Sequence, residues 1–466
     1  MVLNRNRQKE YLEQFYNRNG SHLVVMYGAK GAGKTSLLKD FMQGKAHCYY
    51  QARPCSDREQ VRLWSMEYSR QPGKAFHEGP ETTGLTDFDG IISQLVSSPD
   101  TGEKLLLVLD EFHYMVRGGG AFMQSMVRLL HHAFSERDVL IVLCSSCVGW
   151  VENSMVNRLG EAAFEISGFL KIRELGFEEI YRYFDGAFST EELLVLYSVM
   201  GGIPGYWRMI DRNAGLRENL CRLFLEPDGA FQREARELVE SQLRETSVYH
   251  TILSVLAQGK SKLNDLYHAT GFSRAKISVY LKNLMELELV EKVFSFDSEG
   301  RENTQKGVYR IGSHLVRFYF RFLYPNLSAL SLSEPEEFYE QYVKPELEKY
   351  TAGIFGKVCA QYMEQENQKG TLPISFEKSG EWVGKMGTLD LVAQDEEGHT
   401  LICGCFGEAP VLPYAKYEEW MECMRAARLS ADELYLFAKE GFDERVKALA
   451  GENEKVHTVA WTNLYL

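Results

Sequence analysis

No apolar run in this 466-residue chain approaches the ~18 residues needed to cross a bilayer. A membrane-spanning role and a membrane partner are therefore not expected. The opening stretch MVLNRNRQKEYLEQF carries charge but no apolar segment, unlike a secretory signal. The expected compartment is the cytoplasm, where the 9 cysteines stay mostly reduced. Cys144 and Cys147 make one C-x-x-C, but it ends the apolar run VLIVLCSSC. Neither a second pair nor a histidine at zinc-ligand spacing follows, so both read as core cysteines. Positive charge is short as well: 52 Lys and Arg stand against 65 Asp and Glu, a net charge of -13. A whole-surface footprint for nucleic acid is excluded, and any such contact must come from a local patch. Internal repeats and low-complexity tracts are missing too. What is present, 45% hydrophobic and 25% charged residues, is ordinary for a globular chain. The length suits roughly three domains, or two large ones.

The first 175 residues alternate two periods. An opening helix over 8–17 places Tyr11, Leu12 and Phe15 on one face. Short apolar runs at 22–27, 47–52, 104–112 and 139–146 read as buried strands. Helical spacing lies between them, at SLLKDFM, at 84–97 (Phe88, Ile91, Ile92, Leu95) and at 121–134. Strands alternating with helices predict an α/β fold with a parallel sheet covered on both faces. From 176 to 245 the pattern becomes helical, broken by Gly201-Gly202-Ile203-Pro204. Residues 248–312 read as helix, helix, turn, helix and hairpin. SHLVRFYFRFLYPN (313–326) is an aromatic connector, and 340–466 mix helix and strand.

Gly28-Ala29-Lys30-Gly31-Ala32-Gly33-Lys34-Thr35 matches G-x-x-x-x-G-K-[ST] at every fixed position, after a strand and before a helix. Glycines let the backbone curl until its N–H groups point at phosphate oxygens. The helix start adds its positive dipole end. The expected nucleotide set is Gly28, Lys30, Gly31, Ala32, Gly33, Lys34, Thr35 and Ser36, with ATP and Mg²⁺ as cofactors. Lys34 reaches the β- and γ-phosphates, and the Thr35 hydroxyl ligates Mg²⁺. The run Leu105-Leu106-Leu107-Val108-Leu109-Asp110-Glu111 supplies the second half of such a site. Asp110 holds the metal; Glu111 orients the attacking water. At the end of the strand over 139–144, Ser145 has two readings, a γ-phosphate sensor or a turn and helix-cap serine. The expected catalytic residues are Glu111, Lys34 and Ser145.

These motifs, in this order, resemble the STAND-like branch of the AAA+ ATPases of archaea and bacteria, which carry a winged helix and a C-terminal domain of restriction-endonuclease type. The resemblance runs through Asn6-Arg7 with Glu10, the P-loop, LLLVLDEFHY, LCSS, GGIPGYW (201–207), the aromatic connector, Leu372-Pro373 and GTLDLVA (387–393). It implies a P-loop core over 1–175, a helical lid over 176–246, a winged helix and connector over 247–327, and a nuclease-like α/β domain over 328–466. It implies that Pro204 fixes a lid turn near the nucleotide. Relatives often carry Gly-Arg where this chain has Gly168-Phe169; Arg158, Lys171 and Arg173 are the substitutes nearby.

In the winged-helix stretch, helices over 249–257 and Ser261–Thr270 precede the turn Gly271-Phe272. Ser273 then caps a third helix that buries Ile277, Leu281 and Leu284. LVEKVFSF and GVYRI form a hairpin around Asp297 to Gly300. Lys260, Lys262, Arg274, Lys276 and Lys282 face a single acid, Asp265, between 258 and 282. DNA is the partner such a patch suits; a packing or protein-contact surface is the other reading. The resemblance puts a nuclease's strand Asp at Asp390, its Glu-x-Lys at Gly404-Cys405-Phe406 and its helix Glu near Gly356. One carboxylate cannot hold a catalytic Mg²⁺, and Glu364 and Glu408 lie off the pattern. The domain therefore reads as a nuclease fold without nuclease activity, serving as a surface for a protein partner. Three functions compete: an ATP-hydrolysing switch, an ATP-dependent nuclease, and a non-hydrolysing regulator or scaffold. Any of them is compatible with an oligomer.

Overall fold

The computed structural model describes residues 5–69, 87–96, 103–117, 121–132, 138–184, 186–240, 243–298 and 307–465. The chain divides into two compact units, residues 1–174 with 203–208, and residues 175–202 with 209–466. No helix among the described residues is long and apolar enough to cross a membrane.

In the first unit five strands, β1 (His22–Tyr27), β2 (His47–Gln51), β3 (Leu105–Asp110), β4 (Val139–Ser145) and β5 (Ile166–Lys171), form a parallel sheet in the order β2-β3-β4-β1-β5. Alternate residues go to opposite faces. Leu107, Leu109, Ile141 and Leu143 pack with Trp64, Phe88 and Phe122 on one side. Val24, Val108, Leu140 and Val142 pack with Leu12, Leu37 and Phe41 on the other. Such two-sided burial is why β3 and β4 read as unbroken apolar runs. Parallel order also brings the C-terminal ends of β1, β3 and β4 to one edge, where open α/β sheets bind ligands.

Several elements of this unit have no counterpart in the sequence reading, and two of them bear on the site. One is the helix Asp57–Ser69. The other is β5, whose signal is weak because it is an edge strand with exposed alternate residues and a central glycine. A Cβ at Gly168 would collide with the Tyr11 hydroxyl and stand 2.9 Å from the Phe15 ring. The opening helix, found over Asn6–Asn17, thus packs where an ordinary strand residue would be.

The second unit begins with helices, among them Thr190–Met200, whose Ser189 and Glu192 form a capping box. The helix-turn-helix follows as Thr246–Ala257, Leu263–Thr270 and Arg274–Glu286, the last capped by the Ser273 hydroxyl accepting from Lys276 N–H. Ile277, Leu281 and Leu284 are buried, as the stripe predicts. Strands β6 (Val290–Val293) and β7 (Val308–Ile311) pair antiparallel as the wing. Of the expected hairpin turn, Asp297 and Ser298 lie in a 3₁₀ turn, whereas Gly300 falls outside the described residues. The aromatic connector is helical and buried, with Phe318 packed on Phe224, Phe322 and Tyr350.

The C-terminal part is a mixed sheet beside the long helix Lys344–Lys369. Strands β8 (Lys378–Val383), β9 (Thr388–Gln394) and β10 (Thr400–Phe406) run antiparallel to one another in turn. Past a two-stranded clip of β11 (Val411–Leu412) and β13 (Gly441–Phe442), strands β12 (Glu433–Ala438) and β14 (Val456–Ala460) continue the sheet parallel to β10. The wing is fastened to this sheet. The Ser295 hydroxyl accepts from Val383 N–H at 3.0 Å, and Phe296 joins the core of Trp382, Leu389, Ile402 and Leu436.

Phe296→Ala should therefore destabilise the sheet domain as a core deletion does, by about 3 kcal/mol. Urea unfolding followed by tryptophan fluorescence measures it. A loss below about 1 kcal/mol would mean the wing end adds nothing to that core.

Candidate nucleotide site and helix-turn-helix face

The phosphate loop is fixed at its first residue by main-chain bonds to both neighbouring strands. Gly28 N–H donates to Ser145 O at 3.2 Å, and Ile172 N–H donates to Tyr27 O at 2.6 Å. Ile172 O comes so close that any Cβ at Gly28 would overlap it. Gly31 and Gly33 then take φ of +82° and +98°, the left-handed region that favours glycine. From below, Arg5 braces the loop, giving hydrogen bonds to Ala32 O (3.2 Å) and Arg173 O (2.7 Å). Lys34 is buried at the start of the helix Lys34–Met42. Its ammonium rests on two loop carbonyls, Gly28 O at 2.6 Å and Ala29 O at 3.0 Å. Lys30, Gly31, Thr35 and Ser36 are exposed, while Ala32 is buried. Pro204 opens a short helix on this loop: Gly205 N–H lies 3.4 Å from Gly31 O, and Ile203 Cγ2 stands 2.8 Å from where a Cβ at Gly31 would be.

Across the edge, Asp110 is 2% exposed. Its Oδ2 accepts from the Tyr49 hydroxyl at 2.8 Å and lies 3.4 Å from Thr35 Oγ1. Burial, and then the Asp110 charge, push the Tyr49 phenol pKa up. Two converging oxygens, one a carboxylate, fit Mg²⁺, which takes few protein ligands and completes its shell with water and phosphate. Glu111 turns at φ +53°, uncommon for a non-glycine residue. Its Oε2 accepts from Ser146 N–H (3.0 Å) and Ser146 Oγ–H (2.7 Å), with His113 Nδ1 at 3.3 Å. Ser145 is wholly buried; its hydroxyl meets His113 Nδ1 at 3.1 Å and accepts from Cys147 N–H at 3.1 Å. Cys147 Sγ is 3.3 Å from His113 Nε2. Burial raises the Cys144 thiol well above its usual pKa, so it stays protonated.

The structure thus brings Gly28–Ser36, Asp110, Glu111 and Pro204 together. Sequence reasoning missed three neighbours, Arg5, Tyr49 and His113, and in Cys144-Ser145-Ser146 it preferred Ser145 to Ser146, the serine that bonds Glu111. Of the three cations near Phe169, Lys171 pairs with Glu152 at 2.8 Å, while Arg158 and Arg173 are exposed.

In the second unit Lys260, Lys262, Arg274, Lys276 and Lys282 are all exposed. Arg274 donates to Asn264 Oδ1 at 2.6 Å and lies over the Tyr267 ring; Lys276 lies over Phe272. On the sheet, Asp390 Oδ2 accepts from Cys405 N–H at 3.0 Å. Burial raises its pKa to about 7, against the pull of that N–H. A Cβ at Gly356 would stand 2.5 Å from Asp390 Oδ1, so a side chain at the position implied for a helix glutamate would have to displace that carboxylate.

Because the Tyr49 hydroxyl occupies the Asp110 oxygen that faces Thr35, Tyr49→Phe should lower the Mg²⁺ needed for half-maximal binding of fluorescent ATP. The expected shift is roughly fivefold, one hydrogen bond of about 1 kcal/mol. Binding in EDTA should not change. An unaltered Mg²⁺ requirement would show that the phenol does not compete.

Comparison with known proteins agrees with this geometry. Residues 2–210 match a family described as "ATPase domain predominantly from Archaea". Residues 251–292 match "Bacterial regulatory protein, arsR family", and residues 319–408 match "Archaea bacterial proteins of unknown function". An uncharacterized protein of Methanocaldococcus jannaschii is 23% identical over 402 residues, 85% of each chain. An uncharacterized ATP-binding protein of the same organism is 40% identical over 45 residues, 10% of this chain and 76% of that one. Among solved structures, the Walker-type ATPase of Pyrococcus abyssi is similar in fold, with a TM-score of 0.50 at 15% identity over 69% of this chain and 96% of that one. Segment by segment the chain is thus similar to the predominantly archaeal ATPase domain, then to the ArsR-type regulatory proteins, then to the archaeal and bacterial family of unknown function.

Proposed function

We propose that the chain is an ATP-hydrolysing switch of the cytoplasm, of STAND-like AAA+ type. Its output is contact with DNA through the helix-turn-helix, or with a protein partner through the C-terminal domain. The observation that carries this is the meeting of Lys34, Thr35, Asp110 and Glu111 at one sheet edge. ATP supplies the Lys34 ammonium with phosphate oxygens in place of Gly28 O and Ala29 O. Thr35 and Asp110 hold Mg²⁺, which neutralises charge on the transferred phosphoryl group. Glu111 orients the attacking water once it leaves Ser146. Boundaries at 175/176, 246/247 and 327/328 separate core, lid, winged helix and C-terminal domain in this reading. The lid residue Pro204 lies by Gly31, where it responds to the state of the loop.

A phosphate backbone is favoured over a protein surface at the helix-turn-helix by the exposure of all five cations in an acidic chain, and DNA by the helix-turn-helix itself, whose third helix suits the major groove. The C-terminal domain reads as a nuclease-like fold lacking nuclease chemistry. Beside Asp390, Gly356 brings no carboxylate where the helix Glu would stand, and Gly404 and Phe406 occupy the places of the Glu and Lys of Glu-x-Lys. A nuclease reading would need metal-dependent cleavage, which those positions do not support.

Turnover of ATP by the purified chain, with and without duplex DNA, tests the switch. Lys34→Ala should abolish it. Glu111→Gln should keep ATP binding while slowing hydrolysis at least about a hundredfold, as loss of a water-orienting group does. Equal inertness of wild type and Glu111→Gln, with ATP bound, would favour a non-hydrolysing regulator. Lys276→Glu with Lys282→Glu should weaken DNA binding uniformly across sequences and lower the salt slope by about two. Unchanged DNA affinity would move the output to a protein partner.

A further inference from the structure

A cavity of about 990 Å³ opens inside the second unit, between the wing, the connector, the helix Lys344–Lys369 and strands β8 to β10. The helix faces it with the small residues Ala352, Gly353, Gly356 and Ala360, set between the longer Lys349, Lys357 and Glu364. Its size lies at the upper end of small-molecule sites, roughly 300–1,000 Å³.

Three half-buried cations, Arg310, Arg317 and Lys357, line its inner wall. Arg310 Nη1 pairs with Glu381 at 2.6 Å, and Lys357 Nζ pairs with Glu291 at 2.7 Å. Arg317 gives one bond to Tyr350 O at 2.8 Å and lies over that ring. A guanidinium has five N–H donors and an ammonium three, so these bonds leave donors for a ligand. A third half-buried acid of the wall, Asp390, has its pKa raised to about 7 and carries only part of its charge at neutral pH. At the exposed rim Lys349 and Lys416 offset Glu364 and Glu408. Five cations thus meet four full acids and a fraction of a fifth. A nucleic-acid backbone needs an extended basic track, which a surplus this small does not provide. One compact anion suits it, and arginine forks match phosphate oxygens. Tyr309 and Phe406 also line the cavity, offering rings to an aromatic or sugar body.

We propose that this cavity binds a small phosphorylated molecule of nucleotide size, its phosphate held by Arg310, Arg317 and Lys357 and its body beside Asp390, Tyr309 and Phe406. Such an anion competes with Glu381 on β8 for Arg310, and with Glu291 on β6 for Lys357. Its arrival therefore loosens the two ion pairs between the wing and the rest of the C-terminal part. The site goes beyond the ATP switch and does not depend on it.

Calorimetry on the full chain carrying Lys34→Ala, which weakens the P-loop site, tests this with inorganic phosphate, ribose 5-phosphate, AMP and GMP. At least one should bind with a dissociation constant below about 100 μM. Arg317→Ala in the same chain should weaken it about tenfold. Ala352→Phe, which fills the cavity without touching either ion pair, should abolish it, and this arm stands even if Arg317→Ala unfolds. Preference for AMP or GMP identifies a nucleotide, and equal binding of ribose 5-phosphate identifies the phosphate group; both support the site. Absence of binding by all four at about 1 mM, or binding indifferent to Ala352→Phe, overturns it. Absent ATP turnover in the wild type would defeat the switch and leave this result intact.

Discussion

The end of β1 is pinned from both sides, and the nucleotide site depends on that pinning. Gly28 N–H holds Ser145 O on β4, and Tyr27 O accepts from Ile172 N–H just past β5. These two bonds fix where the strand stops and the loop begins. The carbonyl of Ile172 then leaves space only for glycine at position 28. Gly31 and Gly33 complete the curl with positive φ. Lys34, at the first turn of the following helix, is carried to the loop centre by geometry rather than by any attraction of its own. Because β3 ends on the same edge, Asp110 arrives within reach of Thr35 without a further constraint.

Around this frame the acidic residues are all engaged. Tyr49 and Thr35 occupy Asp110, Ser146 and His113 occupy Glu111, and the loop carbonyls occupy Lys34. A buried charge without partners costs several kcal/mol, so the chain supplies its own partners where phosphate and metal would otherwise serve. Ligand binding at such a site is an exchange of partners rather than the filling of an empty place.

The second unit follows another logic. Its wing is fastened through Ser295, Phe296 and two ion pairs to the C-terminal sheet. The helix Arg274–Glu286 still presents exposed Lys276 and Lys282. The reading face of the helix-turn-helix and the fastening face are therefore different faces. On the sheet, Asp390, Gly356 and Cys405 do meet. Together they line part of one hollow, and two of the three bring no carboxylate.

The sequence by itself determined the phosphate loop, the strand carrying Asp110 and Glu111, the buried stripe of Ile277, Leu281 and Leu284, and the lack of a Glu-x-Lys at Gly404-Cys405-Phe406. Each is a local pattern: a fixed spacing, a period, or the absence of a residue type. It did not show β5, because an edge strand with a glycine under Tyr11 and Phe15 has neither alternation nor an apolar run. Only the tertiary structure decided what touches Asp110 and Glu111. Tyr49 comes from β2, which lies beside β3 in the sheet. Ser146 follows β4, some 35 residues further along the chain. Contacts between residues so far apart depend on strand order, and strand order leaves no mark in the spacing of either residue.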